Sequence, residues 1–233
     1  MNKKVIAIIP ARGGSKRLPN KNILNLKGKP LIAWTINAIK DIQLDGYDID
    51  TIVSTDDDKI ASVAKEYGSE IPFIRPSELS TDLASSMDVI KHALTFLEKE
   101  GRNYDIILLL QPTSPLRTKQ DIEEVLKLID KSKKAIISVT EVDHSPLWSN
   151  TLPKDLSMNG FIRDEVRNKR SQDLPTYYRL NGAIYCSYVS YFYDNDGFLG
   201  KNTYAYIMPR ERSIDIDTEL DFNFIKAIIA GKR

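Results

Sequence analysis

Apolar positions fall in two periods along this chain. Short apolar runs recur at Val5 to Ile9, Thr51 to Thr55, Ile106 to Leu110, Ala135 to Thr140, Asn181 to Tyr188 and Tyr204 to Met208. Runs of this length bounded by turn residues predict buried strands. Between them the spacing lengthens to that of amphipathic helices. Pro30 to Ile42 places Leu31, Ile32, Ile36 and Ile39 on one face, with Pro30 in the first turn. Asp57 to Tyr67 predicts a helix stopped by Gly68, and Ser86 to Glu100 one that buries Ile90, Ala93, Leu94 and Leu97. Thr118 followed three residues later by Asp121 is an acidic variant of the capping box and opens another helix. Thr218 to Ala230 predicts a closing amphipathic helix. Strands alternating with helices imply an α/β fold on a mainly parallel sheet, with helices on both faces.

The pattern fades between Glu141 and Arg179, where prolines, polar residues and charges mix. A surface loop is one reading. Loops of this length are uncommon in compact domains unless they serve a function, so a functional segment is the other. The chain is thereby divided into an α/β domain, 1–140 and 180–233, and an inserted segment, 141–179. A length of 233 residues, 42% apolar and 28% charged, suits one sizeable core. No apolar run approaches the ~20 residues of a membrane span. Arg12 and the glycines after it interrupt the N-terminal apolar run, which argues against a signal peptide. The single Cys186, in an apolar run, predicts a buried thiol and a cytoplasmic location. His92 and His144 are too few for a histidine metal site.

Charge changes the picture at one end. The first forty residues hold nine of the 33 Lys and Arg and none of the 32 Asp and Glu. Within them, Gly13-Gly14-Ser15 follows the first strand and lies among Arg12, Lys16, Arg17 and Lys21. Glycines let a backbone approach an anion, free N–H groups face it, and cations neutralise it. A solvated basic terminus would have the same charge, but the glycine turn directly after a buried strand favours an anion site. The spacing is neither that of a Walker loop nor GxGxxG. Because the basic excess is local and the remainder acidic, nucleic acid is not the expected partner.

Two other segments carry candidate chemistry. Asp215 and Asp217 share one face of any extended backbone, with Ile214 and Ile216 on the other. Two convergent carboxylates suit Mg²⁺ when phosphate oxygens and water complete its shell. An acid at 217 also suits a helix N-terminus, which leaves Asp215 unexplained. A D-x-D motif also marks aspartyl-nucleophile phosphatases, but there it lies on the first strand, and here it lies near the C-terminus with Glu219 where their Thr or Val would sit. Gln111, in Gln-Pro-Thr-Ser-Pro-Leu-Arg117, stands at a strand end, where open parallel sheets bind ligands.

Five segments, IIPARGGSKRLPNKNIL (8–24), RPSELSTDLASS (75–86), LLQPTSPLR (109–117), YRLNGAIY (178–185) and SIDIDTELD (213–221), together resemble the acylneuraminate cytidylyltransferases, in that family's order and over almost the whole chain. The resemblance implies a Rossmann-like nucleotidyltransferase sheet with a small dimerisation arm at 141–179, a homodimer, and transfer of CMP from CTP to a sialic-type nonulosonic acid with Mg²⁺. It implies catalysis by Arg12, Lys16, Lys21, Asp215 and Asp217, the last two holding the metal. It implies nucleotide contacts from Arg12, Gly13, Ser15, Lys16, Lys21, Asn22, Arg75, Ser86 and Gln111, with Arg75 and Ser86 reading the cytosine edge. The acceptor side would be Gln111, Arg170, Arg179, Asn181 and Tyr185, with Arg170 able to reach a partner's site. Arginine matches the sugar's carboxylate as a fork. Ser86 could equally be a helix cap, and Tyr185 a core aromatic. A Kdo cytidylyltransferase, a legionaminate or pseudaminate enzyme, and a non-catalytic nucleotide-binding module are the alternatives.

Overall fold

In the computed structural model, which describes residues 2–231, six strands form one sheet: β1 (Lys3–Pro10), β4 (Tyr47–Ser54), β5 (Ile106–Leu109), β6 (Ala135–Glu141), β7 (Tyr178–Tyr188) and β8 (Thr203–Ile207). A separate two-residue ladder joins β2 (Asn25–Leu26) to β3 (Lys29–Pro30). The sheet order is β4-β1-β5-β7-β6-β8. All neighbouring pairs are parallel except those of β7, which runs antiparallel to both β5 and β6. The expected mainly parallel α/β sheet is therefore present, with one reversed strand inside it.

Helices cover both faces. On one face α1 (Leu31–Ile39), α2 (Asp58–Glu66) and α4 (Lys119–Leu128) pack Ile32, Ile36, Ile60, Ile122 and Val125 onto Val5, Ala7, Ile9 and Leu108. On the other, α3 (Ser86–Lys99) and α5 (Val189–Asp194) pack Ile90, Leu94, Leu97 and Phe192 onto Ile6, Ile8, Ile107 and Leu109. The central strands are buried on both faces and so read as unbroken apolar runs. The closing helix α6 (Glu219–Gly231) joins Phe222 and Ile225 to Leu26, Leu31, Leu116 and Ile216 in a third cluster.

Several boundaries differ from the sequence pattern for physical reasons. α1 stops at Ile39, yet Ile42 and Leu44 still pack on the core from a turn, so the apolar period outruns the helix. Pro30 belongs to β3 and precedes the helix rather than sitting in its first turn. β4 begins at Tyr47, four residues before its apolar run, because it is an edge strand whose first half alternates between half-buried and exposed positions. Thr118 caps α4 with the reciprocal capping box its spacing predicts. Residues 142–177 contain only three 3₁₀ turns, and this excursion leaves the sheet where Glu141 pairs with Tyr178.

Candidate active site

A cavity of about 540 Å³ opens at the carboxyl ends of the parallel strands β1 and β5, within the range of small-molecule sites. Ten residues expected in the site line it: Arg12, Ser15, Lys16, Lys21, Asn22, Arg75, Ser86, Gln111, Asp215 and Asp217. They come from the loop after β1, the segment before α3 with the first residue of that helix, the turn after β5 and the segment before α6.

The loop after β1 is held from beneath. Ala11 N donates to Ser54 O (2.9 Å) and Gly13 N to Asp56 Oδ1 (3.0 Å). A Cβ at Gly13 would stand 2.8 Å from Asp57 Oδ2, so a glycine is needed where the loop crosses the start of α2. Gly13 does not line the cavity, and its N–H is spent on Asp56. Asn22 is buried and its Nδ2 donates to Arg12 O (2.9 Å), which fixes the loop's curvature.

Each cation of this loop faces a carboxylate. Arg12 meets Asp82 at 2.8 Å, and Lys16 pairs with the other oxygen of the same side chain. Arg17 and Lys21 meet Asp217 at 3.1 and 3.3 Å, and Lys21 also donates to Ile216 O (2.7 Å). The two cations hold the Asp82 carboxyl below the usual carboxylate range.

The extended segment before α6 alternates as its sequence predicts. Ile214 and Ile216 face the third cluster, while Asp215 and Asp217 face the cavity. Ile216 N donates to Thr113 O (2.9 Å), tying this segment to the turn after β5. Asp217 is not the helix cap. Thr218 and Asp221 exchange reciprocal hydrogen bonds at that end, leaving the Asp217 carboxylate to the cations. Asp215 differs: its Oδ1 is buried without a hydrogen-bond partner, and burial, with the nearby Asp217 charge, pushes its carboxyl up.

Opposite this pair, Arg75 is buried, and its Nε donates to Ser54 Oγ (3.0 Å) while Nη2 donates to Ser54 O. Burial pulls its guanidinium down to about 10, partly offset by Asp56. Ser85, not Ser86, caps α3 by accepting from Asp88 N (3.1 Å), so the Ser86 hydroxyl is not the cap.

The five residues expected on the acceptor side are spread over the cavity, the 142–177 excursion and β7. Of these only Gln111 lines the cavity. Arg170 is exposed in the 142–177 excursion and pairs with Asp173 (3.2 Å), because the 3₁₀ turn at Ser171–Asp173 brings that acid beside it. Arg179 is exposed on β7, and its guanidinium reaches Leu180 O (3.4 Å) and Ser213 O (3.5 Å). Asn181 is buried and structural: Oδ1 accepts from Ser138 Oγ (2.6 Å) and Ala183 N (3.1 Å), and Nδ2 donates to Ser213 Oγ (2.9 Å). These bonds organise an irregularity in β7 where residues 181–184 stand against Ser138 alone. Tyr185 packs in the second cluster, its ring 5.5 Å from that of Phe198; burial, with the Asp215 charge, raises its hydroxyl.

Arg17, Asp82 and Thr113 also line the cavity, although the expected site set did not include them. Asp82 follows a run of hydroxyl residues and had only its acidity to mark it. Among the described residues no helix is long and apolar enough to cross a membrane, and no group of three or more His, Cys, Asp or Glu is placed to hold a metal unaided.

The family model described as "Cytidylyltransferase" matches residues 6–225. The chain is 38% identical over 224 residues to the N-acylneuraminate cytidylyltransferase of Escherichia coli O18:K1:H7, covering 95% of this chain and 51% of that protein. It therefore spans about half the length of that relative. It is 35% identical over 228 residues to the pseudaminic acid cytidylyltransferase of Campylobacter jejuni subsp. jejuni serotype O:2, covering 97% of this chain and 96% of the relative. The solved structure of CMP:2-keto-3-deoxy-manno-octonic acid synthetase complexed with CTP has the same fold, with a TM-score of 0.71 at 20% identity, over 99% of this chain and 100% of that one.

Proposed function

Because this chain belongs to the cytidylyltransferase family and has the α/β fold of a nucleotidyltransferase, we propose that it transfers CMP from CTP to the anomeric hydroxyl of a nonulosonic acid, releasing pyrophosphate. The observation that carries this reading is the cavity itself. Four separate segments bring a cationic loop, a carboxylate pair and a set of neutral and cationic polar groups to the carboxyl ends of two parallel strands.

In this reading Arg12, Lys16 and Lys21 bind the triphosphate, with Arg17 beside them. Arg75, Ser86 and Asn22 form the nucleoside side. Arg75 is held rigidly by Ser54 and so presents a fixed donor, which suits reading a base edge. Gln111 lies where nucleoside and acceptor meet. The sugar's hydroxyl oxygen attacks the α-phosphorus as the bond to the β-phosphate oxygen breaks, and pyrophosphate carries the charge away. Catalysis rests on holding these groups in line and on cations placed where charge develops.

The residues present fit a divalent cation. Asp215 carries a buried oxygen with no partner, and Asp217 faces the same cavity. Asp215 and Asp217 would hold Mg²⁺, which supplies neutralisation of phosphate charge. The fully buried Cys186, whose thiol burial pushes up, suits the reducing cytoplasm.

N-acylneuraminate is the first acceptor, supported by the higher identity to the E. coli relative. Pseudaminate is the second, supported by the near-complete mutual coverage with the Campylobacter relative; legionaminate belongs to the same group. The excursion at 142–177 exposes Leu152, Leu156 and Met158, surface suited to a second copy of the chain, and the functional unit in this reading is a homodimer.

Pyrophosphate release from CTP, measured against a panel of N-acetylneuraminate, pseudaminate, legionaminate and Kdo, tests the reading. Turnover with one of the first three is expected. Turnover with none of them, or with Kdo alone, contradicts it.

A further inference from the structure

The turn after β5 and the irregular part of β7 meet at one point. Gly182 there has a left-handed backbone (φ 74°), and a Cβ added to it would stand 2.7 Å from Gln111 Oε1. We propose that Gly182 is a positioning residue: the missing side chain is the seat in which the Gln111 carboxamide rests, and it sets where that amide points into the cavity. This deepens the role given to Gln111 above and rests on it.

The seat is rigid. Arg117 is fully enclosed beneath it, with Nη1 donating to Ala183 O (2.6 Å) and Gln111 O (3.3 Å) and Nη2 to Thr35 Oγ1 (2.7 Å). One guanidinium therefore ties the backbone beside Gly182 to the backbone of Gln111. The Asn181 bonds to Ser138 and Ser213 hold the same irregularity from its other end. A side chain at 182 cannot be absorbed by separating the two strands. The atom it meets is the free end of a flexible side chain, so Gln111 swings away, while the left-handed backbone at 182 adds a separate cost in stability.

The test uses Gly182→Ala, Gln111→Ala and the double variant, each followed by melting temperature and by kcat and KM for CTP and acceptor. The side-chain amide resonance of Gln111 is recorded without ligand. The seat predicts that Gly182→Ala moves this resonance and lowers kcat/KM by roughly 10- to 100-fold, the effect of displacing a positioning group by about 1 Å. In the Gln111→Ala background the same change has almost no further kinetic effect, and its cost in melting temperature falls to that of placing a side chain on the left-handed backbone alone. An unmoved resonance, or equal kinetic loss in both backgrounds, overturns the proposal. A moved resonance with wild-type kinetics in Gln111→Ala upholds the seat and overturns the role of Gln111 in the reaction.

Discussion

Asp82 and Asp217 pair with the cations that are proposed to bind a triphosphate and offset part of their charge, so in that reading nucleotide entry is an exchange of counter-ions. A phosphate at Arg12 and Lys16 must displace Asp82, and the two anions repel wherever they remain close. Asp82→Asn is therefore expected to bind pyrophosphate several-fold more tightly at low salt, with the gap closing as salt screens it, as calorimetric titration would measure. Unchanged or weaker binding would show that Asp82 supports the loop instead of competing for it. Asp215 gives the opposite lesson about stability. Its folded carboxyl lies above its unfolded value, so its ionised form is penalised in the folded chain. The penalty is absent below the unfolded value and complete once pH has risen past the folded one. Asp215→Asn should raise the melting temperature at neutral pH while abolishing most activity; a lower melting temperature would mean the carboxylate is structurally required. The pairing of Asp215 with Asp217 was legible because alternation along an extended backbone is local. The Asp82 contact was not, because it joins positions about seventy residues apart and depends on how the segment before α3 folds back.

At the scale of elements, caps and kinks decide what faces the cavity. The α4 capping box extends into a network: Asp121, fully buried, accepts from Arg212 Nη2 (2.7 Å), Arg212 Nε (3.1 Å) and Tyr206 Oη (3.1 Å). Arg212 directly precedes the segment carrying Asp215 and Asp217, so a helix cap anchors the carboxylate pair. Burial alone would raise the Asp121 carboxyl, but the Arg212 and Thr118 bonds reverse this and hold it below the usual value. Its stabilising contribution is thus present above the unfolded pKa and lost as pH falls through the folded one. Asp121→Asn should cost on the order of 3 kcal/mol in urea unfolding at pH 7, and less in acid. A cost independent of pH would place the loss in packing rather than charge. The capping box itself was legible from Thr118 and Asp121; its link to Arg212 and Tyr206 was not, since nothing in local sequence reports which side chains a cap will meet. The reversal of β7 was hidden for a similar reason: a buried strand has the same apolar pattern in either direction. At its irregularity, 181–184, Asn181 is braced by Ser138 and Ser213, contacts that local sequence does not report.

At the scale of the whole molecule, the sheet and its helices were readable because burial on both faces writes itself into long apolar runs, and the cationic loop because its charge is confined to one end. The 142–177 excursion was readable only as an absence of period, and it leaves Leu152, Leu156 and Met158 exposed. If Arg170 serves a partner's cavity, mixing inactive Arg170→Ala with inactive Lys21→Ala should restore activity, because one site of each mixed dimer combines an intact loop with an intact arm. Random exchange makes about half the dimers mixed, which sets a ceiling of about a quarter of wild-type activity. No recovery after demonstrated subunit exchange would exclude action in trans. The central claim, that this cavity is a CTP site, is tested most directly by nucleotide choice. Pyrophosphate release is measured with CTP and with UTP at one saturating acceptor concentration. Cytosine and uracil have opposite hydrogen-bonding polarity at their 4-positions, so a site with fixed groups at Arg75 and Ser86 should turn over CTP with a kcat/KM at least ~100-fold that for UTP. Equal turnover of the two would contradict the account.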